Sequence, residues 1–251
     1  MTKIALVTGA GRGLGRNTAL SIARHGGDVI LTYRSSVDEA QAVVAEIQAM
    51  GRQAMAFQLD SSDVAAFAPF VERLRTALRE TWQRETFDHL VNNAGHGEYA
   101  MIEGTTEAQF DGLVDVHFKG VFFLTQALLP LIADGGRIVN LSTGLTNRLY
   151  PGFSVYAAVK GAVEVLTEYM ARELGSRGIA VNTVAPGAIE TDFGGGLVRD
   201  TPEVNKQFAD MIVLGRVGVP DDIGPMIASL LSEDNRWITA QRIEVSGGQG
   251  I

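Results

Sequence analysis

The stretch Ile4-Ala5-Leu6-Val7-Thr8-Gly9-Ala10-Gly11-Arg12-Gly13-Leu14-Gly15 decides the fold, because a short apolar run breaks into alternate glycines and resumes at once as a helical pattern. A run this short, apolar throughout and bounded by polar residues, reads as a strand buried on both faces. Glycine admits positive φ and lets a ligand approach the main chain, while the free N–H groups and positive dipole of a helix start attract phosphate. The turn holding Gly9, Gly11, Arg12, Gly13, Leu14 and Gly15 is therefore expected to seat a pyrophosphate. Its place between a strand and a helix carries more weight than the glycines themselves.

Six further runs repeat the pattern of the first, at residues 29–33, 54–59, 89–92, 137–141, 180–184 and 241–245. Helix-length patterns with capping or turn residues at their ends lie between them, at 13–26, 37–50, 63–83, 106–131, 155–175 and 220–231. The alternation predicts an α/β protein with seven parallel strands and helices as crossovers. Its 251 residues fit one domain spanning 1–251. Residues 190–214 interrupt the rhythm with Gly194-Gly195-Gly196 and a short helical pattern after Pro202, and are expected to form a lid.

Composition closes several routes. The net charge of −8 and the lack of a Lys/Arg run argue against a phosphate-backbone binder, so no nucleic-acid partner is expected. Zero cysteines exclude disulfides, thiolate catalysis and Cys-ligated metals, and suit a reducing compartment. His25, His89, His96 and His117 form no H-E-x-x-H pair, and no metal is expected. No stretch is read as a membrane span, and the expected location is the cytoplasm.

A dinucleotide site that takes NAD offers a carboxylate to the ribose 2′-hydroxyl about 20 residues after its glycine turn. Here the second strand ends Leu31-Thr32-Tyr33-Arg34-Ser35-Ser36, without a carboxylate. The planar fork of Arg34, the serine hydroxyls and Arg12 suit a 2′-phosphate, so NADP(H) is the expected cofactor, with NAD(H) the lesser choice.

Tyr156 and Lys160 stand four apart in a helical pattern and so share one face. A phenol titrates near pH 10 in water, and a neighbouring ammonium with a cationic nicotinamide is expected to lower that value and make an acid/base pair. The preceding strand ends Asn140-Leu141-Ser142-Thr143, which delivers hydroxyls to the rim where parallel sheets bind ligands.

Taken together these residues resemble the short-chain dehydrogenase/reductase family along essentially the whole chain. Thr8 to Gly15 matches its T-G-x-x-x-G-x-G turn, Asn92-Asn93-Ala94-Gly95 its N-N-A-G, Tyr156 and Lys160 its Y-x-x-x-K, and Pro186-Gly187 its P-G. The resemblance implies a Rossmann-type doubly wound fold and hydride transfer between the cofactor and a carbonyl or alcohol substrate, with ketone or 3-oxoacyl reduction the favoured direction. It further implies that Asp60 and Ser61 meet the adenine, that Asn92, Ala94 and Gly95 line the cofactor path, and that Ile189 and Thr191 hold the nicotinamide amide. A homotetramer built on the two long helices is implied as well.

Two positions depart from the family pattern. The catalytic hydroxyl, counted thirteen residues back from Tyr156, falls on Thr143, with Ser142 the alternative after a one-residue slip. The usual helix asparagine is replaced by His117, which either leaves a main-chain relay intact or joins the proton path itself. Phe193, Leu197, Phe153 and Met101 are candidate walls of an apolar substrate pocket. Two rival readings are a dinucleotide-sensing regulator without turnover and a nucleotide-sugar epimerase or dehydratase, whose pattern places Gly where Arg12 stands.

Overall fold

The strands form one parallel sheet in the order β3-β2-β1-β4-β5-β6-β7, in a computed structural model that describes residues 2–251. They are β1 (Ile4–Val7), β2 (Asp28–Tyr33), β3 (Ala54–Gln58), β4 (Phe87–Asn92), β5 (Ile132–Leu141), β6 (Ala180–Pro186) and β7 (Arg242–Val245). Every ladder is parallel, so each crossover carries helix. The helices are α1 (Gly13–Arg24), α2 (Val37–Ala49), α3 (Phe67–Trp82), α4 (Glu107–Val114), α5 (Gly120–Leu128), α6 (Ser154–Leu174), α7 (Leu197–Asp200), α8 (Pro202–Ala209) and α9 (Pro220–Leu230).

The two-residue period of the strands divides their side chains between two cores. Ala5 and Val7 of β1 pack with α1, α2 and α9, whereas Ile4 and Leu6 pack with α3, α5 and α6. Both faces of the sheet are thus covered, which is the doubly wound arrangement, and it explains why the central strands carry apolar residues on both faces. Strand order reverses between β1 and β4, and the crevice at their carboxyl ends is the natural ligand site of such a sheet.

Several element boundaries differ from the sequence reading. β4 begins at Phe87 and β5 at Ile132, because Phe87 pairs with Ile132 before a register shift brings His89 opposite Arg137. The helix expected over 63–83 opens as a 3-10 turn, Val64–Ala66, capped by Asp63, whose Oδ1 accepts from the Ala65 amide at 3.0 Å. The helix expected over 106–131 is α4, a π-helical turn over Asp115–Lys119, α5 and a 3-10 turn at Leu129–Leu131 that contains Pro130. The capping box at its start, Thr106 with Gln109, fixes that end.

That joined helix bears on the expectation that no stretch spans a membrane. From Glu107 to Leu131 it has the length, and over its most apolar 18 residues a mean hydropathy of 1.2, to cross a membrane. Leu124 and Leu128 on its inner side belong to the core against α3, and the helix carries the Asp115–Lys119 ion pair at 3.0 Å. It is a core helix of this fold.

Candidate active site

Thr8 at the end of β1 ties the first turn to the turn after β4. Its Oγ1 accepts from the amides of Asn93 at 3.0 Å and Ala94 at 2.9 Å, and Asn93 Nδ2 donates back to the Thr8 carbonyl at 2.8 Å. The chains approach so closely that a Cβ at Gly9 would stand 2.8 Å from Ala94 Cα, and Gly9 has φ of +63°. Only glycine satisfies both demands. Arg12, the residue before α1, gives no side-chain cap, and no acidic residue stands in the first helical turn. The N–H groups there are left for a ligand.

A cavity of about 450 Å³ runs from this turn along the carboxyl ends of the strands. Gly9, Gly11, Arg12, Gly13, Leu14 and Gly15 line one stretch, with Tyr33, Arg34, Ser35, Asp60 and Ser61 beside them. The exposed guanidiniums of Arg12 and Arg34 enter no ion pair among the described residues, while neighbouring Arg16 is held by Glu46 at 2.6 Å. Asp60 accepts from the Ser62 amide and hydroxyl at 2.9 and 2.6 Å. Partial burial works against its charge, yet these bonds and the nearby Arg34 hold its carboxyl below the ordinary range. Ala94, Gly95, Pro186, Gly187, Ile189 and Thr191 line the wall farther along.

Asn92 is the exception among the expected cofactor residues. Its side chain is buried behind the sheet, donating to Thr125 Oγ1 at 3.0 Å and Asn140 Oδ1 at 2.8 Å, and it does not reach the cavity. Consecutive strand residues point to opposite faces, so β4 turns Asn92 into the core. Asn93, one residue on, lines the cavity instead.

At the far end Tyr156 and Lys160 face the cavity from one side of α6, with Lys160 Nζ 5.8 Å from the centre of the tyrosine ring. Both are buried, and Nζ donates to the Leu141 carbonyl at 2.7 Å. Burial pushes the lysine down to about 7 and pushes the phenol above its ordinary value, with hydrogen bonding by the Thr143 side chain working the other way. The expected lowering of the phenol involves a cationic nicotinamide as well as the ammonium, and the direction found here is that of the protein by itself. Desolvation of a buried phenolate outweighs a neighbour whose own charge burial disfavours.

The two candidate hydroxyls diverge. Thr143 lines the cavity with Tyr156, its Oγ1 accepting from the Leu145 amide at 3.3 Å, whereas Ser142 Oγ donates to Glu164 Oε1 at 2.6 Å. Glu164 in turn binds Arg242 of β7 at 2.9 Å, and an Arg242 Nη2 donates to the Thr143 carbonyl at 3.2 Å. The loop after β5 is thereby clamped between α6 and β7.

His117 lies within the π-helical turn, 1% exposed. Its Nε2 meets both main-chain groups of His96, 2.6 Å from the carbonyl and 3.3 Å from the amide. Its Nδ1 is buried with no partner among the described residues. The ring stands edge-on to Tyr156 at 5.2 Å, and a Cβ at Gly95 would strike it at 2.2 Å from Cε1. Burial, aided by the Lys160 charge, holds the imidazole well below its ordinary value and therefore neutral.

Of the expected apolar walls, Phe193 lines the cavity, its ring 5.5 Å from that of Tyr156. Phe153 packs on Tyr99 at 5.7 Å, and Met101 and Leu197 are half exposed off the wall. His96 and Gly97 complete that end and were not anticipated, since nothing but the tertiary approach of the loops distinguishes them.

Comparison with known proteins places these features in context. Residues 9–249 match the family model described as enoyl-(acyl carrier protein) reductase. A 3-oxoacyl-(acyl-carrier-protein) reductase of Staphylococcus aureus is 39% identical over 250 residues, covering 99% of this chain and 98% of its own. Among solved structures, a promiscuous reductase catalysing keto-reduction at C1 in lugdunomycin biosynthesis superposes with a TM-score of 0.94 at 37% identity, covering 99% and 98% of the two chains. An angucycline C-6 ketoreductase with bound NADP superposes at 0.92, also 37% identical, covering 98% and 95%.

Proposed function

Because this chain belongs to the short-chain dehydrogenase/reductase family, we propose that it is an NADP(H)-dependent oxidoreductase that reduces a ketone or 3-oxoacyl carbonyl to its alcohol. One observation carries this reading. Thr143, Tyr156 and Lys160 meet at one end of a cavity whose other end offers bare helix N–H groups and two guanidiniums that enter no ion pair among the described residues.

The residues present fit the dinucleotide. The amides from Gly11 to Gly15 would take the pyrophosphate, and Arg34, Arg12 and Ser35 the 2′-phosphate. Asp60 and Ser61 would meet the adenine, with Tyr33 beside it. Ala94, Gly95, Pro186, Gly187, Ile189 and Thr191 would follow the path to the nicotinamide. When bound, the dinucleotide supplies the hydride that reduces the carbonyl carbon.

Tyr156 donates its proton to the substrate oxygen as negative charge develops there, and a phenol that burial keeps protonated suits this direction. Thr143 hydrogen-bonds the same oxygen, while Ser142, held by Glu164, stays outside the step. Lys160 would hold the nicotinamide ribose and return a proton to the tyrosine. His117 is a positioning residue that braces the His96 loop against Tyr156.

Residues 190–214 form the substrate lid. Gly194, Gly195 and Gly196 take positive φ in succession, while bridges at Ile189–Gly218 and Ile212–Gln249 anchor the two ends. The assembly is a cytoplasmic homotetramer, for which the exposed Phe110, Phe122 and Phe123 of α4 and α5 and Val165 and Tyr169 of α6 provide an apolar face.

The test is Tyr156→Phe. It keeps NADPH binding, read by the rise in cofactor fluorescence, and loses about 10²–10⁴ in kcat on a reducible ketone. Turnover unchanged by the substitution refutes the assignment.

A further inference from the structure

The cavity changes character along its length. Its wall carries three cationic side chains, Arg12, Arg34 and Lys160. The arginines stand at the glycine turn and the end of β2, and the lysine is turned to the Leu141 carbonyl. Beside the phenol, the wall is made by Phe193, His96, Gly97 and Val116. The Phe193 ring lies 5.5 Å from the Tyr156 ring, tilted 53°, and a Cβ on Gly97 would come within 2.4 Å of it. The glycine thus makes room for that aromatic wall.

Two further aromatic pairs join the loops beyond it. Tyr99 meets Phe153 at 5.7 Å, linking the segments after β4 and β5, and Tyr150 meets Phe208 of α8 at 5.8 Å. The Tyr99 ring is 64% exposed. Such rings favour offset or edge contacts with another flat ring.

The basic side chains on the same loops are spent on neighbours. Arg199 binds Asp192 and Asp200, Lys206 binds Asp210, and Arg148 binds Glu244. Glu98 and Glu103, on the loop after β4, enter no ion pair among the described residues. An anionic substrate needs a cation to replace its lost hydration, and an acidic carrier protein needs a basic surface to dock on. Among the described residues, no arginine or lysine on these loops stands outside an ion pair.

Resting on the reductase reading above, we propose that the substrate is an uncharged aryl or polycyclic ketone taken free from solution, and not a 3-oxoacyl thioester presented by an acidic carrier protein. In the step, hydride and its electron pair form a C–H bond at the carbonyl carbon while the C=O π bond breaks. The oxygen takes the Tyr156 proton, replaced from solvent, and NADPH leaves as NADP⁺.

The experiment compares 1-tetralone, acetoacetyl-CoA, acetoacetyl-acyl carrier protein and the uncharged acetoacetyl-N-acetylcysteamine with the whole protein and NADPH. The expected kcat/KM for 1-tetralone exceeds that of either charged thioester by at least about tenfold, a difference of about 1.4 kcal/mol. A charged thioester reduced as well as 1-tetralone, or NADPH bound with no reduction of 1-tetralone, overturns this proposal. Failure to bind NADPH, measured by its fluorescence, overturns the reductase reading instead. Phe193→Ala is the second arm. It raises KM for 1-tetralone several-fold more than KM for the N-acetylcysteamine ester, and weakens calorimetric binding of 1-tetralone to the NADP⁺ complex. Equal changes for both substrates refute the aromatic contact.

Discussion

Replacing Lys160 with methionine removes a buried charge while filling much the same space, and the fold should become more stable as the catalytic site is lost. Burial holds this amine at about 7 against the ordinary 10.5, so between those values the unfolded chain carries a proton that the folded chain refuses. Unfolding then takes up protons, and stability rises with pH across that window. At about 1.36 kcal/mol per pH step, the gain from about pH 7 to about pH 9.5 approaches 3 kcal/mol as an upper limit, since proteins relax around a buried charge. The methionine variant has no such slope, although it leaves the Leu141 carbonyl without the donor now at 2.7 Å, at a cost of about 1–3 kcal/mol. The range avoids the titration of ordinary tyrosine above it and of His89 and His117, both lowered by burial, below it. Urea unfolding of both proteins at several pH values measures the difference. Parallel profiles, with no relative gain by the wild type toward alkaline pH, refute a desolvated Lys160.

Arg34→Ala removes one of the two unpaired guanidiniums and should raise KM for NADPH about tenfold, the lower end for an exposed charged hydrogen bond, while leaving KM for NADH within about twofold. Steady-state kinetics with both cofactors read this, and equal losses for the two argue against a 2′-phosphate contact. Thr143→Val should lower kcat by about 10²-fold, whereas Ser142→Ala, which only frees Glu164, should cost kcat less than about tenfold. The reverse ranking hands the catalytic role to Ser142. His117 is held neutral by burial, so the pH profile of kcat should show no break traceable to it between about pH 6 and pH 8. A break there that vanishes in His117→Asn places the imidazole in the proton path.

Local pattern made much of this molecule legible. Apolar runs without alternation identified a sheet covered on both faces, and the two cores on opposite sides of β1 follow from that. The glycine turn was readable because positive φ and close approach leave no other residue type. Tyr156 and Lys160 were readable because helical spacing alone brings positions four apart onto one face. Boundaries were less so: the π-helical turn around His117 packs against α6, and no local propensity marks it.

What the sequence determined by itself is therefore the set of short-range constraints: strand, turn, helix and the shared face of the tyrosine and lysine. The tertiary structure alone decided which groups are dry and which distant residues become partners. It turned Asn92 into the core and Asn93 to the cavity, bound Ser142 to Glu164, and left Arg34 outside any ion pair among the described residues. It also buried the phenol and so raised it above its ordinary value. The physical reason is that desolvation and long-range hydrogen bonding depend on what the rest of the chain packs around a group, and residues near it in sequence do not encode that environment.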